Sequence, residues 1–460
     1  MAGTVSTPNR QLSATRHRQT LNLHSEFQPA FGISIMSIRL AARAALCAAV
    51  LAASAAHAAE SLTLDDAFRR VEQTHPELRL FGGRRDVLTT ELDRAAFKPP
   101  LVVGIEAENV LGTGEASGLQ GAEITLSLAS VLERGGKLDA RRALAQSRID
   151  VLAVEREARR LDLLAEVARR YLAVVAAEKR AEIARLDIAQ RKRAVAGARQ
   201  RLQAGASPES VVLTAEAALA RAELDQARAV QQARAARQHL ATLWGERAPS
   251  FDVVPINPLA LPKIASFDEL ASWLAKTPEL AQFAGEQRIR EARLQLARTA
   301  ATPDLDWQVG VRRLQATDDF GLVVSVSMPL GTKVRAQPEI RAAEAELALL
   351  GLEREVKSLS LYSTLAEAHG RFLTAQLEVR RLGSDVIPRL SRAEAAAERA
   401  YRAGAASYLE WAQLQAERTA ALRDQLEAAL EAHSALLEIQ RLTGQPFVSA
   451  GPSIEQGDTP

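Results

Sequence analysis

The residue types that usually do chemistry are sparse in this chain and badly spaced for it. Beyond residue 58 there are four histidines, His75, His239, His369 and His433, and no two stand at a metal-ligand spacing. No nucleophile elbow and no serine, histidine and aspartate grouping is present. The single cysteine, Cys47, excludes a disulfide framework and a cysteine-ligated zinc. Gly135-Gly136-Lys137 has neither the leading glycine nor the spacing of a phosphate-binding loop, and two glycines there serve simply to turn the chain. An enzyme is not expected, nor a cofactor or a resident metal. What remains are carboxylates in alternating segments, Glu106, Glu108 and Glu123, which could attract passing cations or simply keep a pore wet.

The segments that carry them alternate with period two. Val103, Ile105 and Ala107 interleave with Gly104, Glu106 and Glu108, and Ile124, Leu126 and Leu128 with Glu123, Thr125 and Ser127. A second pair repeats the design: Trp307, Val309 and Val311 against Asp306, Gln308 and Arg312, then Leu322, Val324 and Val326 against Val323, Ser325 and Ser327. Such hairpins fit a transmembrane barrel with lipid on one side and water on the other. A half-buried sheet in a soluble protein gives the same pattern; the exported context and the absence of any other recognisable sheet favour the barrel. Four strands cannot close one, so several copies must share it.

An internal repeat sets the organisation. Thr63-Leu64-Asp65-Asp66 with Pro76-Glu77-Leu78 is answered by Ser266-Phe267-Asp268-Glu269 with Pro278-Glu279-Leu280, Gly205 by Gly404, and Gly245 by Gly444. The reading is a first repeat over 59–246, a proline-rich linker over 247–265, a second repeat over 266–445 and a tail over 446–460. Each repeat runs helix, hairpin (101–128; 305–328), very long helix (137–204; 334–403) and return helix (208–245; 407–443). The opening helices are expected as single rods, from Leu64 to Ala96 and from Phe267 to Ala301. No proline falls between Lys137 and Ala204, so that helix would be on the order of 100 Å long. Its counterpart should kink at Pro388.

Upstream, Arg39 and Arg43 precede a short apolar run that ends in Ala56-His57-Ala58, a secretory signal over 36–58. Residues 1–35 then read as a non-native extension. Formal net charge is +2 and aromatic content 4%, so no electrostatic case exists for nucleic acid. The 88 alanines suit closely packed helices, giving a mainly α chain with a small β part.

In this duplicated order the chain resembles the TolC family of outer-membrane efflux channels across nearly all of 61–450. The resemblance rests on LTLDDAF at 62–68, both hairpins, the turns RLQAGAS and YRAGAAS, and the endings LWGE and LTGQ. It implies a homotrimer with a twelve-stranded barrel in outer-membrane lipid, above a long helical coiled-coil barrel in the periplasm. Partners implied are a periplasmic adaptor and an inner-membrane pump of the RND type. Glu133, Gly135, Gly136 and Lys137 are similar to a turn in the CzcC-type branch, which serves heavy-metal pumps.

The resemblance also implies roles at the periplasmic tips. Gly205, Ser207, Gly404 and Ser407 fall at the helix-hairpin ends where adaptors dock, and Glu410 and Gln413 at the aperture. Tyr401 matches a tyrosine that latches the mouth, but its usual carboxylate partner falls at Val211, so the latch is expected to be absent or differently built. Strand residues Glu106, Glu108, Glu123, Asp306, Gln308 and Arg312 would face the lumen. Three readings follow: a passive duct for heavy-metal cations, a duct of the same fold for drugs or secreted proteins, and a soluble periplasmic scaffold or adaptor. A scaffold has no use for two amphipathic hairpins.

Overall fold

The computed structural model describes residues 61–114 and 117–447; the expected signal sequence, upstream extension and most of the tail lie outside them. In order, the helices are α1 (Leu64–Thr74), α2 (Pro76–Ala95), α3 (Lys137–Gln203), α4 (Glu209–Ala241), α5 (Phe267–Leu274), α6 (Pro278–Thr299), α7 (Thr332–Arg381), α8 (Ile387–Ala403) and α9 (Tyr408–Thr443). The strands are β1 (Ser61–Leu62), β2 (Val102–Glu108), β3 (Glu123–Leu132), β4 (Asp252–Val253), β5 (Leu305–Leu314) and β6 (Asp319–Ser327).

Two of the expected boundaries are corrected. Each opening helix is two helices, because His75 and Thr277 precede proline and take extended backbone, which the proline ring enforces. His75 turns this break to use: its Nδ1 accepts from the Glu77 amide at 3.2 Å and caps α2. The first hairpin runs on to Leu132 rather than ending at 128.

Four strands form one antiparallel sheet in the order β2-β3-β5-β6, so β2 and β6 are left as unpaired edges. The helices beneath keep the same order, since α2 packs on α3, α3 on α6, and α6 on α7. α3 is thus an inner member of the row and α7 an edge.

The linker is not a plain connection. Its β4 pairs in parallel with β1, a second sheet that the sequence reading did not foresee. The Tyr171 hydroxyl of α3 donates between Leu62 O (3.1 Å) and Val254 O (3.2 Å), and burial pushes its pKa up to about 12. Leu62, Val71, Val167, Leu240 and Phe251 close an apolar cluster around that joint. A matching cluster in the second repeat contains Leu274, Leu365, Phe372 and Leu442.

The second long helix is interrupted one turn earlier than Pro388 alone would require. Leu382–Val386 form a π-helical turn between α7 and α8. Gln425 of α9 donates to Val379 O at 3.1 Å beside it, and Gly383 leaves the room, since a Cβ there would lie 2.6 Å from the Gln425 amide nitrogen.

Candidate functional site

Register decides the faces of the sheet. Ile105 opposes Leu126, which opposes Val311, which opposes Leu322, so these four share one face. Glu106, Thr125, Arg312 and Gly321 line up in the same way on the other. Glu108, Glu123, Asp306 and Gln308 belong to that polar face, which therefore holds all six strand residues named from the sequence.

Burial runs opposite to that of a soluble protein. On the apolar face Ile105 is 76% exposed and Leu322 73%, while on the polar face Thr125 is 2% exposed. The sheet curls around its polar side and offers its apolar side outward, as a lipid-facing barrel wall must. A soluble scaffold would show the reverse.

The acidic residues on that inner face are not all free. Arg312 bonds Glu123 at 2.6 Å and Glu108 at 2.8 Å, and its Nε donates to Thr125 Oγ1 at 3.0 Å. Asn109 donates to the second Glu123 oxygen at 3.1 Å. Of the expected acidic trio, only Glu106 lacks an ion pair among the described residues.

Where the sheet meets the helices, the Glu133 to Lys137 turn is a lock between the repeats. Gly135 and Gly136 both take positive φ, and Gly135 sits against Thr302 of the second repeat, where a Cβ would come within 2.7 Å. Lys137 pairs with Asp304 at 2.7 Å, and Asp304 also accepts the Arg134 amide at 3.0 Å. Burial works against the Asp304 carboxylate, but those two donors outweigh it and lower its pKa. Glu133 is held below the usual range chiefly by its hydrogen bond from Arg141. The sequence reading saw the turn in these residues and missed the partners, which stand some 170 positions away.

At the far end, Gly205 and Gly404 end α3 and α8 in left-handed backbone. Ser407 caps α9 by accepting the Glu410 amide at 3.2 Å, whereas Ser207 precedes a proline cap and makes no such bond. Glu410 is exposed in the first turn of α9, and Gln413, one turn on, donates to Glu417 at 3.0 Å. Tyr401 lies buried among Ala198, Val212, Tyr408 and Trp411. A contact is built there from a residue the sequence reading passed over. The Arg201 guanidinium stands 4.9 Å from the Tyr401 ring centroid and donates to Tyr401 O at 2.6 Å and Ala206 O at 3.3 Å.

Residues 89–246 match the family model for outer membrane efflux proteins. Over 288 residues the chain is 27% identical to the cobalt-zinc-cadmium resistance protein CzcC of Cupriavidus metallidurans, covering 63% of this chain and 68% of that protein. The chain is thus similar to outer membrane efflux proteins in sequence and to outer-membrane channels in fold. In fold the chain is similar to the outer-membrane channel OprN, with a TM-score of 0.69 at 19% identity over 84% of this chain and 90% of that one. It is also similar to CusC, with a TM-score of 0.68 at 16% identity over 83% of this chain and 91% of that one.

Proposed function

We propose that three copies of this channel form a duct through which an RND-type pump and a periplasmic adaptor export heavy-metal cations. The unpaired edges β2 and β6 support the trimer, because four strands per copy give twelve and a sheet of four has no closed form. The hairpin tips around Gly205, Ser207, Gly404 and Ser407 are the adaptor-docking end in this reading.

One structural observation carries the cation cargo. Glu410, Glu417, Asp424 and Glu431 of α9 are all exposed and recur every seven residues. That spacing puts four carboxylates on one helix face, about 10 Å apart. Of the four, only Glu431 is met by a cation, Arg371 at 3.3 Å, among the described residues. With Glu410 at the aperture, three copies of the stripe would repel one another, draw in cations and repel anions. The similarity to CzcC supports the same cargo.

The test is a deletion strain complemented with this protein and challenged separately with zinc, cobalt, cadmium and hydrophobic drugs. Rescue confined to metals is the expected result. Rescue confined to drugs overturns the cargo and leaves the channel standing. In planar bilayers, Glu410→Gln should weaken block by divalent cations; an unchanged record removes Glu410 from the aperture.

A further inference from the structure

The apolar face of the sheet ends abruptly on the helical side. Its last members, Leu101, Leu132, Met328 and Leu330, are exposed, Leu330 by 80%. Directly beyond them in the chain come exposed Phe97 and Lys98, Arg134, and Lys333. An exposed apolar rim followed by an aromatic and long basic side chains is what a bilayer interface selects, since the stems lie along hydrocarbon and the charges reach the headgroups.

These three cations have no carboxylate within salt-bridge distance among the described residues. Elsewhere on the helices arginines are commonly paired, as in Arg290 with Glu353 at 2.6 Å and Arg237 with Glu178 at 2.6 Å. Near the rim Glu133 is engaged by Arg141 and Asp304 by Lys137, while Asp139 in the first turn of α3 is exposed without an ion pair among the described residues. Lys98, Arg134 and Lys333 outnumber that carboxylate, so the net unmatched charge at this level is positive. Beside it a cleft of about 570 Å³ opens between α2 and α3, lined by Arg94, Phe97, Lys98, Arg141 and Arg148; its two carboxylates, Glu91 and Glu133, face Arg148 and Arg141. The opposite end of the strands has the other sign, with Glu106, Glu108, Glu123, Asp318 and Asp319 against Arg312 and Arg313.

We infer that Lys98, Arg134 and Lys333 form a basic collar that binds the phosphates of anionic phospholipid in the leaflet facing the periplasm. The inference rests on the barrel lying in a membrane and adds the headgroup class that the helical end of the barrel recognises. Phosphate suits these donors because guanidinium and ammonium groups both make charge-assisted bonds to its oxygens.

The experiment uses the full chain in vesicles of phosphatidylcholine with or without phosphatidylglycerol, and native mass spectrometry of the lipid retained. Wild type is expected to retain phosphatidylglycerol preferentially, and added salt should weaken that preference. In Lys98→Gln/Arg134→Gln/Lys333→Gln the preference should fall by about fivefold for each charge removed. Asp319→Asn, at the other end, should leave it unchanged. Equal retention of the two lipids by wild type overturns the inference, as does a triple variant that keeps the preference. Failure to enter vesicles of either composition overturns the barrel reading itself, which separates the two failures.

Discussion

The two repeats share a backbone plan and differ in what surrounds it. In the first, α3 runs 67 residues unbroken, with α2, α4, α6 and α9 packed along it. In the second, the equivalent path is cut by a π-helical turn, and α7 leaves Leu349, Leu352, Val356 and Leu359 exposed. Similar alanine-rich sequence therefore meets two fates, and position in the row decides which. An inner helix is covered on both flanks, while α2 and α7, like β2 and β6 above them, stand at the ends of their row. The internal repeat sets the chain path, and neighbours set the burial.

The comparison is sharpest at the sheet, where both repeats contribute to each face. Ile124→Glu in the first and Val326→Glu in the second each put a charge on the exposed apolar side, at a cost on the order of 2 kcal/mol per copy, multiplied by three in a trimer. Both should abolish the assembled form in outer-membrane fractions. Ser325→Glu, beside Val326 but on the polar side, should assemble almost normally. If all three variants behave alike, the two faces are not distinguished by lipid.

Next in size is the strand-to-helix turn, which the repeats build differently. Gly135 in the first is pressed against Thr302, whereas Gly331 in the second has positive φ but open space around it. Gly331→Ala should cost about 1 kcal/mol, from left-handed backbone alone. Gly135→Ala adds a steric clash and should cost about 3 kcal/mol. Heat dissociation of the purified assembly would read the difference, and Thr302→Gly, which removes the Cβ that Gly135 faces, should recover most of the excess. Equal losses at the two glycines would mean that the turn does not lock the repeats together.

This contrast also marks what could be read in the sequence. Period-two alternation, the start of α3 at Lys137 and the glycine ends of α3 and α8 were legible because each is a local signal. The division of the opening helices was legible as well, in the residues before Pro76 and Pro278, and was passed over in favour of a long rod. The β1–β4 pair was not legible, because two-residue strands have no periodicity to detect. Nor were the contacts of Arg312 with Glu123, Lys137 with Asp304, or Arg201 with Tyr401. Each joins residues more than 160 positions apart, and only the folded chain brings them together. At the candidate site the sequence thus supplied faces and ends, and the structure supplied the partners that set their charge.

At the tips the repeats interlock through one arginine. Arg201 of the first holds the end of α8 in the second by its ring contact and its bond to Tyr401 O. Arg201→Ala should release about 1–2 kcal/mol of that hold. Proton exchange in residues 399–405 should quicken and resting conductance should rise. Arg201→Lys keeps the charge without the planar fork and should rescue only in part. If Arg201→Ala leaves both measurements unchanged, the interlock does not hold the tip closed.

The smallest effect separates the repeats by pH. His433 of α9 is buried, with Nε2 2.9 Å from Pro258 O, and its counterpart in the first repeat, at the offset that relates Gly404 to Gly205, is the exposed Arg234. Burial lowers the His433 pKa, and the Pro258 carbonyl only partly opposes it. The folded form therefore prefers the neutral ring, and unfolding takes up a proton once the pH falls below the ordinary histidine value of about 6.5. Stability contributed by the neutral ring is complete above that value and is lost on acidification from there down to the lowered folded pKa. Exchange around Pro258 should thus quicken as the pH falls below about 6.5, while the linker start at Phe251, packed on the first repeat, should not respond. His433→Gln retains an amide donor for Pro258 O and should flatten the response; a slope that survives the substitution places the titrating group elsewhere.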